Sequence, residues 1–263
     1  MNTLLNAVVQ LLLIYLLIAF TFWFASDLML FQPPKVPRTI ATHPHAITIP
    51  LANQQTLSAV YLPNTQAKYT LLFSHGNAED LFTLSPFLKL LQQHGFAVFA
   101  YDYPGYGNST GKATEASTYQ AIQAAYQYLT TELGVPNNRI IVFGRSLGSG
   151  PSVELCQHNK VAGLILESPF VSAYRVYSIW PIFPFDKYTN LDKIPKLSVP
   201  ILLIHGTRDS VIPIWHGKKI YEAAASPKQA YWVEGASHND VLITAQMEYF
   251  KTLQQFASSL KKD

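Results

Sequence analysis

The sequence predicts an α/β fold: a mostly parallel, eight-stranded sheet with helices on both faces, preceded by one long apolar helix. Three observations carry that prediction. From residue 46 onward, short apolar runs alternate with longer amphipathic ones. Several later short runs (LLF, FAVFA, IIVF, GLILE, ILLI) are continuously apolar, as strands covered on both faces of a parallel sheet must be. Finally, no charged side chain occurs before Asp27.

That uncharged start is the first element. Residues 4–26, LLNAVVQLLLIYLLIAFTFWFAS, number 23. As a helix they rise about 35 Å, enough for a hydrocarbon core of roughly 30 Å. Phe20, Phe22, Trp23 and Phe24 gather at one end, where an interfacial aromatic belt lies. No Lys or Arg precedes the run and no A-x-A site follows, so residues 1–26 are expected to be an uncleaved transmembrane anchor, not a signal peptide or a core helix. Lys35 and Arg38 follow it, and only the α-amino group precedes it, so the remainder is expected on the cytoplasmic side. Residues 27–45 include FQPPKVPRTIATHPH, whose four prolines read as an extended linker.

Residues 46–263 are expected to form one domain. Its strands are 46–50, 57–62, 69–74, 96–101, 139–144, 161–167, 200–205 and 229–234, and its helices 79–94, 115–133, 149–158, 213–225 and 240–260. Two strands before the first βα repeat imply an antiparallel start. One connection breaks the rhythm: residues 168–198, rich in aromatics and proline, are expected to be a short cap.

Composition excludes several roles. Hydrophobic residues make up 49% and charged residues 13%, against about 25% charged in an average globular chain, so part of the chain meets something other than water. A net charge of +3 with no basic block excludes nucleic acid as a partner. Cys156 is the single cysteine, which rules out an internal disulfide and a cysteine metal site.

The chemistry begins at IIVFGRSLGSG, residues 140–150, where a strand runs into a helix through a serine between two glycines. In an open α/β sheet, ligands bind beyond the carboxyl ends of the strands. A serine at a sharp strand-to-helix turn points its hydroxyl there, and Gly144 and Gly148 let strand and helix approach. The hydroxyl needs a base, and the base an orienting acid, in the chain order Ser, acid, His. After Ser146, strand PILLIH ends at Asp209 and strand QAYWVEG ends near His238. The three residues thus meet at one edge of the sheet.

Competing residues fit less well. His205 lies within a strand end and suits a structural hydrogen bond, and His216 lies on a helix and suits the surface. Asp186, Asp192 and Asp240 fall in the cap or on a helix, leaving Glu167 as the alternative acid. Oxyanion donors are expected from the backbone N–H of Leu147 and from that of Asn77 in SHGNA, where Gly76 permits a sharp turn. The phosphate-loop look of PGYGNSTGKAT is misleading: five residues separate Gly105 from Gly111, and Ala113 stands where Ser or Thr is required.

The stretches LLFSHGNAEDL, YDYPGYGNSTGKATE, GRSLGSGPSVEL, ESPFVSAYRV, PILLIHGTRDSVIPIWHG and YWVEGASHND together resemble the small membrane-associated α/β-hydrolases of the ABHD group, among them palmitoyl-protein thioesterases, over about residues 69–245. The resemblance implies an α/β-hydrolase fold with Ser146 as nucleophile, Asp209 as acid and His238 as base. The chain departs from it at the start: the thioesterases carry an N-terminal cysteine cluster, whereas here no cysteine precedes Cys156.

The expected activity is therefore hydrolysis of acyl esters or thioesters, of lipids or acylated proteins, at a membrane reached through residues 4–26 and without metal or organic cofactor. Phe170, Tyr174, Trp180, Phe183 and Phe185 are the candidate acyl pocket. A peptidase or amidase using the same triad is the alternative, followed by a non-catalytic tethered binding protein.

Overall fold

The computed structural model describes residues 2–34, 40, 43–51 and 54–260. Its strands are β1 (Ala46–Pro50), β2 (Thr56–Leu62), β3 (Thr70–Ser74), β4 (Ala97–Tyr101), β5 (Ile140–Arg145), β6 (Gly163–Glu167), β7 (Ile201–Gly206) and β8 (Lys228–Val233). They form one sheet in the order β1-β2-β4-β3-β5-β6-β7-β8. β1 and β2 pair antiparallel, as do β2 and β4, and every later pair is parallel. The strand order reverses at β3, which lies between β4 and β5. Such a switch point opens a crevice at the carboxyl ends of β3 and β5.

The helices are α1 (Asn2–Leu30), α2 (Leu81–Gln93), α3 (Glu115–Gln127), α4 (Ser149–His158), the single-turn α5 (Asn190–Lys193), α6 (Trp215–Ala223), α7 (Val241–Ala245) and α8 (Met247–Ser259). The alternation along β5 shows how they cover the sheet. Ile140 and Val142 pack with α3, α4 and α6, whereas Ile141 and Phe143 pack with α2 and α8. Both faces are therefore apolar, which is why these strands read as unbroken hydrophobic runs. Helix starts are local: Asp80 accepts the N–H of Thr83 and Thr114 that of Ser117, two capping boxes worth about 1 kcal/mol each.

Three expectations need correction. The last helix is broken at Gln246, whose φ of +49° ends α7 before α8 begins. The third helix ends at Gln127 and continues as a π-helical turn, Tyr128–Glu132. The apolar N-terminal helix runs to Leu30 rather than Ser26, and Phe31 beyond it is buried against Tyr188. Residues 27–32 are thus helix and docked chain, not free linker. Lys35 and Arg38, on which the orientation expectation rests, lie outside the described residues.

Helix α1 is long and apolar enough to cross a membrane, and most of it is exposed. One stripe of it is covered by the cap, the connection from β6 to β7. Tyr15 donates its hydroxyl to the carbonyl of Ile182 at 3.0 Å, Phe22 packs at 4.8 Å from both Tyr174 and Phe183, and Lys187 pairs with Asp27. Asp186 pins the cap internally, accepting from Ser172 Oγ and the N–H of Tyr174.

Candidate active site

The serine turn has the strain its sequence implied. Ser146 sits at φ +52°, a left-handed conformation rare for a residue with a Cβ and held only where the surroundings over-determine it. Both flanking glycines are required by contact. A Cβ on Gly144 would stand 2.5 Å from the carbonyl oxygen of Gly148, and one on Gly148 would overlap the carbonyl of Ser74. Strand β5, the 3₁₀ turn Ser146–Gly148 and α4 could not pack so closely with larger residues.

His238, in the loop after β8, places Nε2 3.0 Å from Ser146 Oγ, and its Nδ1 lies 2.7 Å from Asp209 Oδ2. Asp209 is itself fixed: its Oδ1 accepts the N–H of Val211 at 2.9 Å and of Ile212 at 2.7 Å. Burial raises its carboxyl pKa, but hydrogen bonds from His205 and His238 outweigh this and hold it well below the usual carboxylate range. A buried carboxylate on Nδ1 selects the imidazole tautomer whose Nε2 is free to accept a proton.

The loop after β3 lies against this turn, since a Cβ on Gly76 would be 3.7 Å from that of Ser146. It is tied on several sides. Tyr103 donates to the carbonyl of His75 at 2.6 Å, and Gly76 N–H donates to Glu79 Oε2 at 2.7 Å. Glu79 in turn pairs with Arg145, the residue before Ser146. Asn77 and Leu147, the two expected oxyanion donors, therefore belong to segments held together at the switch point.

Other residues fall where the sequence did not point. Glu167, the alternative acid, bonds the hydroxyl of Tyr249 at 2.5 Å. His216 is buried, not on the surface; its Nδ1 accepts from the N–H of Val171. Burial pushes its pKa down to about 4, so the ring is neutral. His205 is also buried, donating Nε2–H to the carbonyl of Ile212 at 2.8 Å with Asp209 Oδ2 3.4 Å away. The roles of Glu79 and Arg145 escaped sequence reasoning because no fixed spacing links an ion pair across 66 residues (145 − 79), whereas His205 makes the structural hydrogen bond expected of it.

Tyr174, Trp180, Phe183 and Phe185 line a cavity of about 250 Å³ together with Phe22 and Met29 of α1. Phe170 does not join them; it is buried in the core against Tyr188. A larger groove of about 560 Å³, lined by Ala162, Pro200 and Lys228, opens at the amino ends of β6–β8, the edge opposite Ser146.

Residues 65–185 match the family described as serine aminopeptidase, S33. The α/β-hydrolase domain-containing protein 17B of Homo sapiens is 45% identical over 195 residues, covering 73% of this chain and 67% of that protein. The 17B protein of Xenopus laevis is 44% identical with the same coverage of both. Among solved structures, the esterase Pf2001 of Pyrococcus furiosus superposes with a TM-score of 0.73 over 87% of this chain and 99% of its own; at 20% identity that likeness is one of fold. With the fold, the turn around Ser146 and these relatives in agreement, the chain belongs to the α/β-hydrolase superfamily, as an esterase-like hydrolase of the ABHD type related to the domain-containing 17 proteins.

Proposed function

We propose that the protein is a membrane-tethered serine hydrolase that cleaves acyl esters or thioesters through an acyl-enzyme. The observation carrying this reading is the unbroken chain Asp209–His238–Ser146, with contacts of 2.7 and 3.0 Å. His238 Nε2 takes the Ser146 proton as Oγ attacks the acyl carbon. Asp209 holds the imidazole in place and stabilises the imidazolium. The N–H groups of Asn77 and Leu147 receive the negative oxygen of the tetrahedral intermediate. His238 then protonates the leaving alcohol or thiol, and water attacks the acyl-enzyme by the same route.

Helix α1 supplies the tether, and the domain lies on the cytoplasmic side. The aromatic cavity between α1 and the cap takes the acyl chain of a lipid or an acylated protein: it is apolar and partly built by the tether itself. A second reading, an amidase or peptidase, is favoured by the description of the matched family.

The test assays the full chain in detergent on acyl esters and thioesters of increasing chain length and on aminoacyl amides, with Ser146→Ala as blank. Ester or thioester turnover that peaks at long chains and falls by up to about 10⁶ in the blank supports the proposal. Preferential cleavage of aminoacyl amides moves the substrate to peptides, and turnover that survives in Ser146→Ala removes the mechanism.

A further inference from the structure

The side chain of Asn77 is held by partners remote from it in sequence. Its Nδ2 donates to the carbonyl of Leu30 at 2.6 Å, and its Oδ1 accepts the N–H of Gln32 at 2.9 Å and the hydroxyl of Tyr106 at 2.6 Å. Tyr106 is buried, and its hydroxyl oxygen also lies 3.0 Å from the N–H of Gln32. Leu30 is the last residue of α1, so its carbonyl is one of those a helix end leaves without an internal partner. Asn77 satisfies it. A carboxamide offers the N–H donor for that carbonyl and the oxygen acceptor for the other two in one planar group.

The same loop is strained. Ala78 has φ +57°, left-handed for a residue with a Cβ, and its N–H turns back to Asn77 Oδ1 at 3.1 Å. A loop in that state keeps one shape only if neighbours impose it. The Asn77 carboxamide and its three outside partners supply that constraint one residue from Gly76, which lies against Ser146.

We infer that Asn77 is a positioning residue: its side chain, gripped by Leu30, Gln32 and Tyr106, aims its own backbone N–H at the oxyanion. The inference rests on the hydrolase reading proposed above. It makes the exit of α1 a working part of the site, because residues 30–32 hold the loop that stabilises the transition state. Asn77→Ala keeps the backbone donor and loses only the grip. Misplacing a donor by a fraction of an ångström to 1 Å costs transition-state stabilisation without weakening substrate binding.

The test uses the full chain in detergent and one ester or thioester that the parent hydrolyses. Asn77→Ala is expected to lower kcat between about 10- and 100-fold with KM unchanged. Tyr106→Phe removes one hydroxyl and keeps the ring; it is expected to lower kcat at least about threefold, again at constant KM. In the Asn77→Ala background the same change adds almost nothing, since both act through one side chain. If Asn77→Ala does not fold, Tyr106→Phe decides alone. Values of kcat within twofold of the parent, or losses that track only a lowered Tm, overturn the inference. A parent without turnover overturns the hydrolase reading and this one together; an active parent with unchanged variants overturns this one alone.

Discussion

Arg145 and Glu79 form an ion pair that joins the residue before Ser146 to the loop after β3, and the second carboxylate oxygen of Glu79 accepts the N–H of Gly76. The proposed oxyanion hole of Asn77 and Leu147 draws on two chain segments, whose spacing such a hole needs fixed before the reaction begins. Here the segments leave adjacent parallel strands, β3 and β5, and this link spans the gap between them. Both side chains are about one-fifth exposed, so water screens the pair only in part.

Breaking that link should therefore lower turnover more than substrate affinity. Glu79→Ala loses both the pair and the Gly76 contact and should cost more in kcat than Arg145→Ala. Either variant is expected to lose about tenfold or more, with KM near the parent's. A double-mutant cycle on kcat/KM should give a coupling of about 1 kcal/mol or more. Additive losses would mean that the two residues act separately.

The identity of the acid is tested by its two candidates. Asp209→Asn should lower kcat on the order of 10⁴ if His238 depends on it for tautomer and charge. Glu167→Gln should leave kcat near the parent's and lower Tm, because the partner of Glu167 is the Tyr249 hydroxyl in the core. The reverse pattern would transfer the role to Glu167.

The glycines of the serine turn should tolerate no side chain. Gly148→Ala drives a Cβ into the backbone carbonyl of Ser74, which has no rotamer to yield. A loss of about 3 kcal/mol or more is expected, with disappearance of Ser146 labelling by a serine-reactive phosphonate. Gly134→Ala, at φ +64° but with open space around it, should cost about 1 kcal/mol and keep full labelling. Equal behaviour of the two variants would show that the close approach at Gly148 is not what the turn requires.

The middle of the sheet was readable because β3 to β7 are largely apolar runs buried on both faces, and the Ser, Asp and His ends followed from chain order at one edge. The ties around that edge were not. Asn77 meets Leu30 and Gln32, and Arg145 meets Glu79, through contacts between segments far apart in sequence; no local period or turn residue announces them. Phe170 failed for a related reason. Its place among aromatics suggested a pocket, but aromatic content alone does not say which rings face a cavity and which complete the core.

The buried pair His75 and Asp102, at the carboxyl ends of β3 and β4, gives a prediction with a definite sign. Asp102 is 1% exposed, and burial pushes its carboxyl pKa up to about 7 despite the N–H of Leu81 bonded to Oδ1. The folded chain therefore holds a proton there that the unfolded chain releases near pH 4. Folding takes up a proton between about pH 4 and 7, so the contribution of Asp102 to stability declines across that window as pH rises, by about 1.4 kcal/mol per unit. His75, whose Nε2 lies 3.6 Å from Asp102, acts in the opposite sense. Burial lowers its pKa to about 4, so folding expels a proton and stability rises with pH up to about 6.5. In the parent the two slopes oppose each other. Asp102→Asn keeps an acceptor for Leu81 and leaves His75 unopposed. Unfolding of the full chain in detergent at pH 4.5, 5.5 and 6.5 should show the variant gaining stability with pH more steeply than the parent, by about 1.4 kcal/mol per unit. His216, buried and neutral in both, cancels from the comparison. Parallel curves would mean that Asp102 is already ionised in the folded chain at pH 4.5, and that its burial is compensated by the surrounding N–H groups.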